Sequence, residues 1–262
     1  MPLMWFPMSW PPLQTLKVLP FLLAVLVMLS MPGGLVSCQA SRNVHVAAAV
    51  SLKPVLQELQ KIYPHQDELS FSFGASGLLK TQILAGAPFD VFLAVGNEDI
   101  QQLKKRGYTQ PLAPLVSNPL TLARHTTNGT VTSCAPEQLK PGELAAGNPV
   151  TVPVGFHARR ALGNHWQRLS PQLTSNAYQN IVYLRNGAVK YAVVYQSDLK
   201  AYPDLVSCWA FRDYPAIPIY ALPLNLRQTK ENTPTAVVRW LNFLQSPEAR
   251  QVFSAYGFNH DF

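Results

Sequence analysis

The sequence predicts an α/β fold in which parallel strands alternate with helices. Three observations predict it. Between Val44 and Phe92, short apolar runs alternate with stretches of helical spacing. Two of the turns there, at Ser51 and Ser76, place a serine where a strand gives way to a helix. Beyond Phe92 further apolar runs and helical stretches follow, with Gly and Pro at the breaks.

Val44 to Val50 is short and apolar and reads as the first strand. Leu52, Val55, Leu56, Leu59 and Ile62 then recur at helical spacing. Phe71 to Gly74 is again strand-like, and Leu78, Leu79, Ile83 and Leu84 form the next apolar stripe. Phe89 to Val95 is the third strand. Asn97 is placed to cap a helix through Ile100 and Leu103 that Gly107 ends.

Ser51 and Ser76 are thus expected at helix N-termini, at the carboxyl ends of neighbouring parallel strands. The first turn of a helix leaves N–H groups unpaired, and the helix dipole adds partial positive charge there. Two such turns side by side make a cradle for an oxyanion, in the crevice where open α/β sheets bind ligands. Read alone, the turns are also those of ordinary N-capping serines.

Leu19 to Leu29 is apolar and uncharged, with Lys17 before it, which is the pattern of a secretory signal over residues 1–37. The run is short for a membrane span, which needs ~20 residues. Leu35-Val36-Ser37-Cys38 resembles a bacterial lipobox, with Cys38 as the lipid-bearing residue; cleavage after Ala40 would instead discard it. Either way Cys134 and Cys208 remain as a possible disulfide pair in an oxidising compartment. Localisation is therefore expected in the periplasm or on the outer face of the cytoplasmic membrane, with a lipid anchor.

The remainder, about 220 residues, suits one large domain or two small lobes. Loss of the leader lowers the net charge from +7 to +6, with 20 basic against 14 acidic side chains. Mild positive charge favours the approach of anions. Lys and Arg are scattered, clustering only at Lys104-Lys105-Arg106 and Arg159-Arg160, so no nucleic-acid footprint is present.

Pro111 to Pro119 is a proline-rich connection and the first candidate crossing between lobes, with a strand from Leu120 to Ala123 leaving it. Asn128-Gly129-Thr130 reads as a turn. Val152-Pro153-Val154-Gly155 shapes the start of a helix whose amides face outward, with the helix running from Gly155. Asn176 caps a helix from Ala177 to about Leu184. Tyr191 to Tyr195, Val206 to Phe211 and Ile217 to Leu222 are strands, and the second crossing falls near Ile217. Helices beginning at Thr233-Pro234 and Ser246-Pro247 should pack back on the first lobe.

The order of motifs is informative. A-A-A-V-S-L, F-G-A-S-G, A-G-A-P-F-D-V-F, G-N-P-V-T-V-P-V-G, Y-A-V-V-Y-Q-S-D and a terminal Y-G-F together resemble the periplasmic molybdate-binding proteins of ABC importers, from Val44 to Phe258. The resemblance implies a two-lobed periplasmic binding protein of type II. Each lobe would be a mostly parallel sheet flanked by helices, with the ligand cleft between lobes. The first lobe would comprise residues 38–118 and 218–262, and the second 119–217. The ligand would be molybdate or tungstate, with no other cofactor. The resemblance further implies uncharged donors for the anion: the hydroxyls of Ser51 and Ser76, the backbone N–H of Val154 and of Ala177, and Tyr195. Ala75 and Gly77 flank Ser76 where the family is often richer in serine, Val154 stands for a more usual Ala, and Ala177 for a more usual Val. The partners implied are ABC permease subunits in the cytoplasmic membrane, with the binding protein a monomer.

Neutral donors suit a fully ionised oxyanion, because they offer nothing to accept an acidic proton. Phosphate would call for a carboxylate in the cleft, and Asp198 is the nearest candidate. Sulfate and organic anions are the other competing guests. A structural or adhesive lipoprotein would leave the aligned helix starts unexplained, and an enzyme on the same fold is a further alternative, but H-E-x-x-H and G-x-S-x-G are absent. The six histidines are dispersed. His157 and His165 are expected on one helix, as surface residues rather than metal ligands.

Overall fold

The apolar run Val44–Ala49 forms β1, and Val46, Ala47 and Ala48 are fully buried. A strand covered on both faces needs such a continuous run rather than alternation. The computed structural model describes residues 43–108, 113–126, 133–224 and 235–260. The leader, Cys38 and the turn at Asn128-Gly129-Thr130 lie outside these residues.

A 3₁₀ turn, Val50–Leu52, leads from β1 into helix α1, Lys53–Ile62, which buries Val55, Leu56 and Leu59. Then follow β2 (Leu69–Gly74), α2 (Ser76–Leu84), β3 (Val91–Val95) and α3 (Glu98–Lys104). The proline-rich connection contains an unanticipated short strand, β4 (Val116–Asn118), before β5 (Leu120–His125). Next come β6 (Leu144–Gly147), α4 (Pro153–Leu162), α5 (His165–Leu169), β7 (Gln172–Thr174), α6 (Ala177–Arg185), β8 (Tyr191–Tyr195), α7 (Gln196–Ala201) and β9 (Leu205–Ala210). The described chain closes with β10 (Ile217–Pro223), α8 (Thr235–Leu244) and α9 (Pro247–Ala255).

The strands form two five-stranded sheets, ordered β2-β1-β3-β10-β4 and β7-β6-β8-β5-β9. The two share one plan. Strands β2, β1 and β3 are parallel, as are β7, β6 and β8. The reversed strand in each sheet, β10 or β5, is the first to arrive after the chain has crossed from the other sheet. The crossings are Pro119 and the segment 211–216. Residue 217, assigned above to the second lobe, opens β10 in the first sheet.

Helices α8 and α9 return to the first lobe. Trp240 on α8 is fully buried, edge-on to Tyr63 at the end of α1 with ring centroids 5.1 Å apart. In the second lobe a disulfide joins Cys134 to Cys208 on β9, with a Cα–Cα distance of 5.3 Å.

Several local expectations are corrected. Helix α2 buries Leu79 and Ile83 but leaves Leu78 and Leu84 exposed, because only one side of the helix meets the sheet. Asn97 occupies the N-cap position of α3 without a capping bond; its side chain instead accepts from Gln101. Helix α4 begins at Pro153 rather than Gly155, since proline's fixed φ suits the first helical turn. His157 and His165 lie on separate helices, because Gly163, at φ 51°, ends α4 between them.

Candidate functional site

The carboxyl ends of β1, β2 and β3 in one lobe face those of β6, β7 and β8 in the other. Between them is a cavity of about 20 Å³ for the centre of a water-sized sphere. One water occupies ~10–15 Å³ by that measure, so the space suits a compact ion. Its wall is built from matching turns: Ala49-Val50-Ser51 and Gly74-Ala75-Ser76 with Val95 on one side, Val152-Pro153-Val154 and Asn176-Ala177 with Tyr195 on the other. All five residues singled out in the sequence, Ser51, Ser76, Val154, Ala177 and Tyr195, are brought together here.

Neither serine is an N-cap. Ser51 lies inside the 3₁₀ turn, whose cap is Ala49, and the cap of α1 is Leu52. Ser76 is the first residue of α2 and Ala75 is its cap. The ladder of α2 starts with the amides of Leu78 and Leu79 donating to the Ala75 carbonyl, both at 3.0 Å. The earlier amides, of Ser76 and Gly77, fall outside that ladder. The Ser76 hydroxyl is buried and has no hydrogen-bond partner among the described residues. An orphaned buried hydroxyl costs about 1–3 kcal/mol, so its place in the cavity wall calls for an acceptor there.

On the facing side, Val154 is the second residue of α4. The ladder there starts with Gly155 and Phe156 donating to the Val152 carbonyl, at 2.9 and 3.0 Å. Pro153 has no N–H, which leaves the Val154 amide as the first donor of the helix. Gly155 explains how this helix start reaches the strand end: a Cβ on Gly155 would lie 2.0 Å from the Gly147 carbonyl oxygen.

Ala177 is the first residue of α6. Asn176 caps that helix, its Oδ1 accepting the Gln179 amide at 2.9 Å. One turn on, fully buried Asn180 donates to the Val193 carbonyl at 2.8 Å and bonds to the Thr174 hydroxyl. Those bonds tie the first turns of α6 to the end of β7 and the middle of β8.

Tyr195 ends β8 and is buried. Its amide donates to Asp198 at 2.9 Å. The phenol is therefore its remaining donor, and burial raises the phenol well above its ordinary range, with Asp198, Glu98 and Tyr214 adding to the rise. It stays protonated. Burial pushes Asp198 up to about 7, against the Tyr195 N–H that stabilises its charged form.

Among the described residues, none that lines the cavity has a charged side chain. Asp198 stands behind Tyr195 and is not among them. Among the described residues no group of three His, Cys, Asp or Glu could hold a metal ion. The arrangement can surround a small anion with neutral O–H and N–H donors, where dipoles rather than counter-ions replace the lost water. The His157 side chain lies close by, nine-tenths buried, where a surface position was expected. A lone histidine on a helix carries no sequence signal of burial by distant segments.

Comparison with known proteins adds the following. The pattern of the family described as bacterial extracellular solute-binding protein matches residues 44–259. A protein named molybdate-binding protein ModA, from Haemophilus influenzae, is 28% identical over 237 residues, covering 85% of this chain and 92% of that one. The periplasmic molybdate-binding protein of Azotobacter vinelandii superposes with a TM-score of 0.69 at 17% identity, covering 84% of this chain and 100% of the other. The sulfate-binding protein SubI of Mycobacterium tuberculosis superposes with the same TM-score at 14% identity, covering 84% and 88%. At those identities the solved structures share the fold alone.

Proposed function

The chain belongs to the bacterial extracellular solute-binding protein family, and on that footing we propose that it captures molybdate or tungstate outside the cytoplasm and hands the anion to an ABC permease. The observation that carries this reading is the orphaned Ser76 hydroxyl in the wall of a cavity whose lining, among the described residues, has no charged side chain. The anion would take hydrogen bonds from the Ser51 and Ser76 hydroxyls, the Val154 and Ala177 amides and the Tyr195 phenol. Likeness to the Haemophilus influenzae protein, whose name gives molybdate, supports the choice of guest.

Sulfate is the competing guest, because neutral donors accept any fully ionised tetrahedral dianion. Size is then what would separate the heavier oxyanions from sulfate. Phosphate fits poorly, since it keeps a proton near neutral pH and no carboxylate lines the wall among the described residues. Export with lipid attachment at Cys38 is part of the proposal, and the intact mass of the membrane-bound protein would reveal the acyl chains.

Calorimetric titration with molybdate, tungstate, sulfate and phosphate tests the assignment. The expected result is one tight site for molybdate and tungstate, weaker binding of sulfate, and no heat with phosphate. Heat with phosphate and none with the heavier oxyanions would overturn it.

A further inference from the structure

A second buried polar atom, at the seam between the lobes, makes no hydrogen bond among the described residues. His157 lies on α4, one turn beyond Val154. Its Nδ1 is 2.8 Å from the hydroxyl of Tyr214, in the segment by which the chain crosses back to the first lobe. Its Nε2 is buried and makes no hydrogen bond among the described residues. That nitrogen faces the first lobe, where Oε2 of Glu98, at the start of α3, lies 3.9 Å away. This is too long for a hydrogen bond. Gly96 keeps the gap open: a Cβ there would sit 2.6 Å from Glu98 Oε2 and 3.1 Å from His157 Nε2.

We propose that His157 and Glu98 form a latch between the lobes, in which the imidazole Nε2–H donates to the Glu98 carboxylate when the cleft closes over its anion. Tyr214 O–H donates to Nδ1 in the same arrangement and so fixes the tautomer. Movement of the lobes by about 1 Å brings the donor and carboxylate to the 2.7–2.9 Å of a charge-assisted bond. Burial together with Arg160 keeps the imidazole neutral, so the latch is a hydrogen bond from a neutral donor and adds no positive charge beside the site. His157 is thereby a positioning residue. It connects the crossing segment, the helix that presents the Val154 amide, and the facing lobe.

The proposal deepens the anion-binding reading and rests on it, so its test has two arms. The first arm needs no ligand. Nitrogen-15 NMR of histidine-labelled protein should show His157 as the Nε2–H tautomer; the Nδ1–H tautomer would overturn the latch whatever anion the protein binds. The second arm is a double-mutant cycle by calorimetry with His157→Phe, Glu98→Ala and the double variant, titrated with whichever of the four anions binds the wild-type chain. Each single change should weaken binding about tenfold, and the double change no more than either alone. Unchanged affinity in Glu98→Ala, whose side chain is half-exposed and outside the cavity, would overturn the latch. So would losses that multiply, which is the pattern of His157 serving as packing alone. Failure of molybdate and tungstate to bind the wild-type chain, by contrast, would end the assignment of the guest and leave the tautomer result to judge the latch.

Discussion

A side-chain carbon at Gly155 would lie 2.0 Å from the carbonyl oxygen of Gly147, so the first turn of α4 rests directly on the end of β6. This contact sets where the Val154 amide points, and it is backbone against backbone, with no flexible side chain to give way. Gly155→Ala must push the helix start off the strand. We expect a stability loss of about 1–3 kcal/mol, in the range of overpacked cores. Anion affinity should fall at least tenfold more than in a variant of equal stability loss made in α8. Thermal melts and titration of the two variants check this.

Ser76→Ala should act with opposite signs on folding and binding. Removing an unsatisfied buried hydroxyl relieves about 1 kcal/mol in the unliganded protein. The same change removes a bond to a charged guest worth about 1.5–3 kcal/mol. Denaturant unfolding of the empty protein and titration with molybdate measure the two. Loss of stability with no loss of affinity would mean that Ser76 serves the fold.

Acid should separate His157 from Asp198. Burial and Arg160 lower the His157 imidazole to about 4 from an ordinary 6.5. Its contribution to stability is therefore present above pH 6.5 and is lost as the pH falls toward 4. Asp198 is raised by burial from 3.8 to about 7, so its contribution is present below pH 3.8 and is lost as the pH rises toward 7. In the window from 4 to 6.5 the two oppose each other, each by about 3 kcal/mol at most. Relative to wild type, His157→Gln should gain stability on acidification across that window and Asp198→Asn should lose it. Urea midpoints at pH 4.5 and 6.5 provide the check.

The Cys134–Cys208 bridge closes a loop of 74 residues in the second lobe. Chain-entropy reasoning gives it about 4 kcal/mol. The double Cys→Ser variant should melt several degrees lower, while thiol counting on the unreduced wild-type protein should find neither of these cysteines free.

Long buried elements were legible in the sequence because their apolar spacing is strong. β1, α1 and the strand ending at Tyr195 fall where the pattern puts them, β3 begins two residues later than expected, at Val91, and α9 lies between the Ser246-Pro247 start and Gly257. Short elements were not: β4, β6 and β7 have three or four residues each, too few for a period to register. Ser51 and Ser76 lie in the turns that the sequence marks, but neither is the N-cap that a serine at a strand-to-helix turn suggests. Pro54, in the first turn of α1, fixes where that helix starts and shifts its cap to Leu52. At α2 a poor capping residue, Ala75, stands beside Ser76, which a capping argument alone would have favoured. A local rule broken in this way marks a side chain held for something else. His157 was invisible because its surroundings come from Tyr214, far along the chain, and from Glu98 in the other lobe.

The most direct test of the central claim is a crystal structure of the protein with molybdate, phased or checked by anomalous scattering from molybdenum. A single strong anomalous peak is expected in the cavity, with oxygens in hydrogen-bond range of the Ser51 and Ser76 hydroxyls, the Val154 and Ala177 amides and the Tyr195 phenol. A peak clasped by lysine or arginine elsewhere, with the two serines turned away from it, would rule out an anion held by neutral donors.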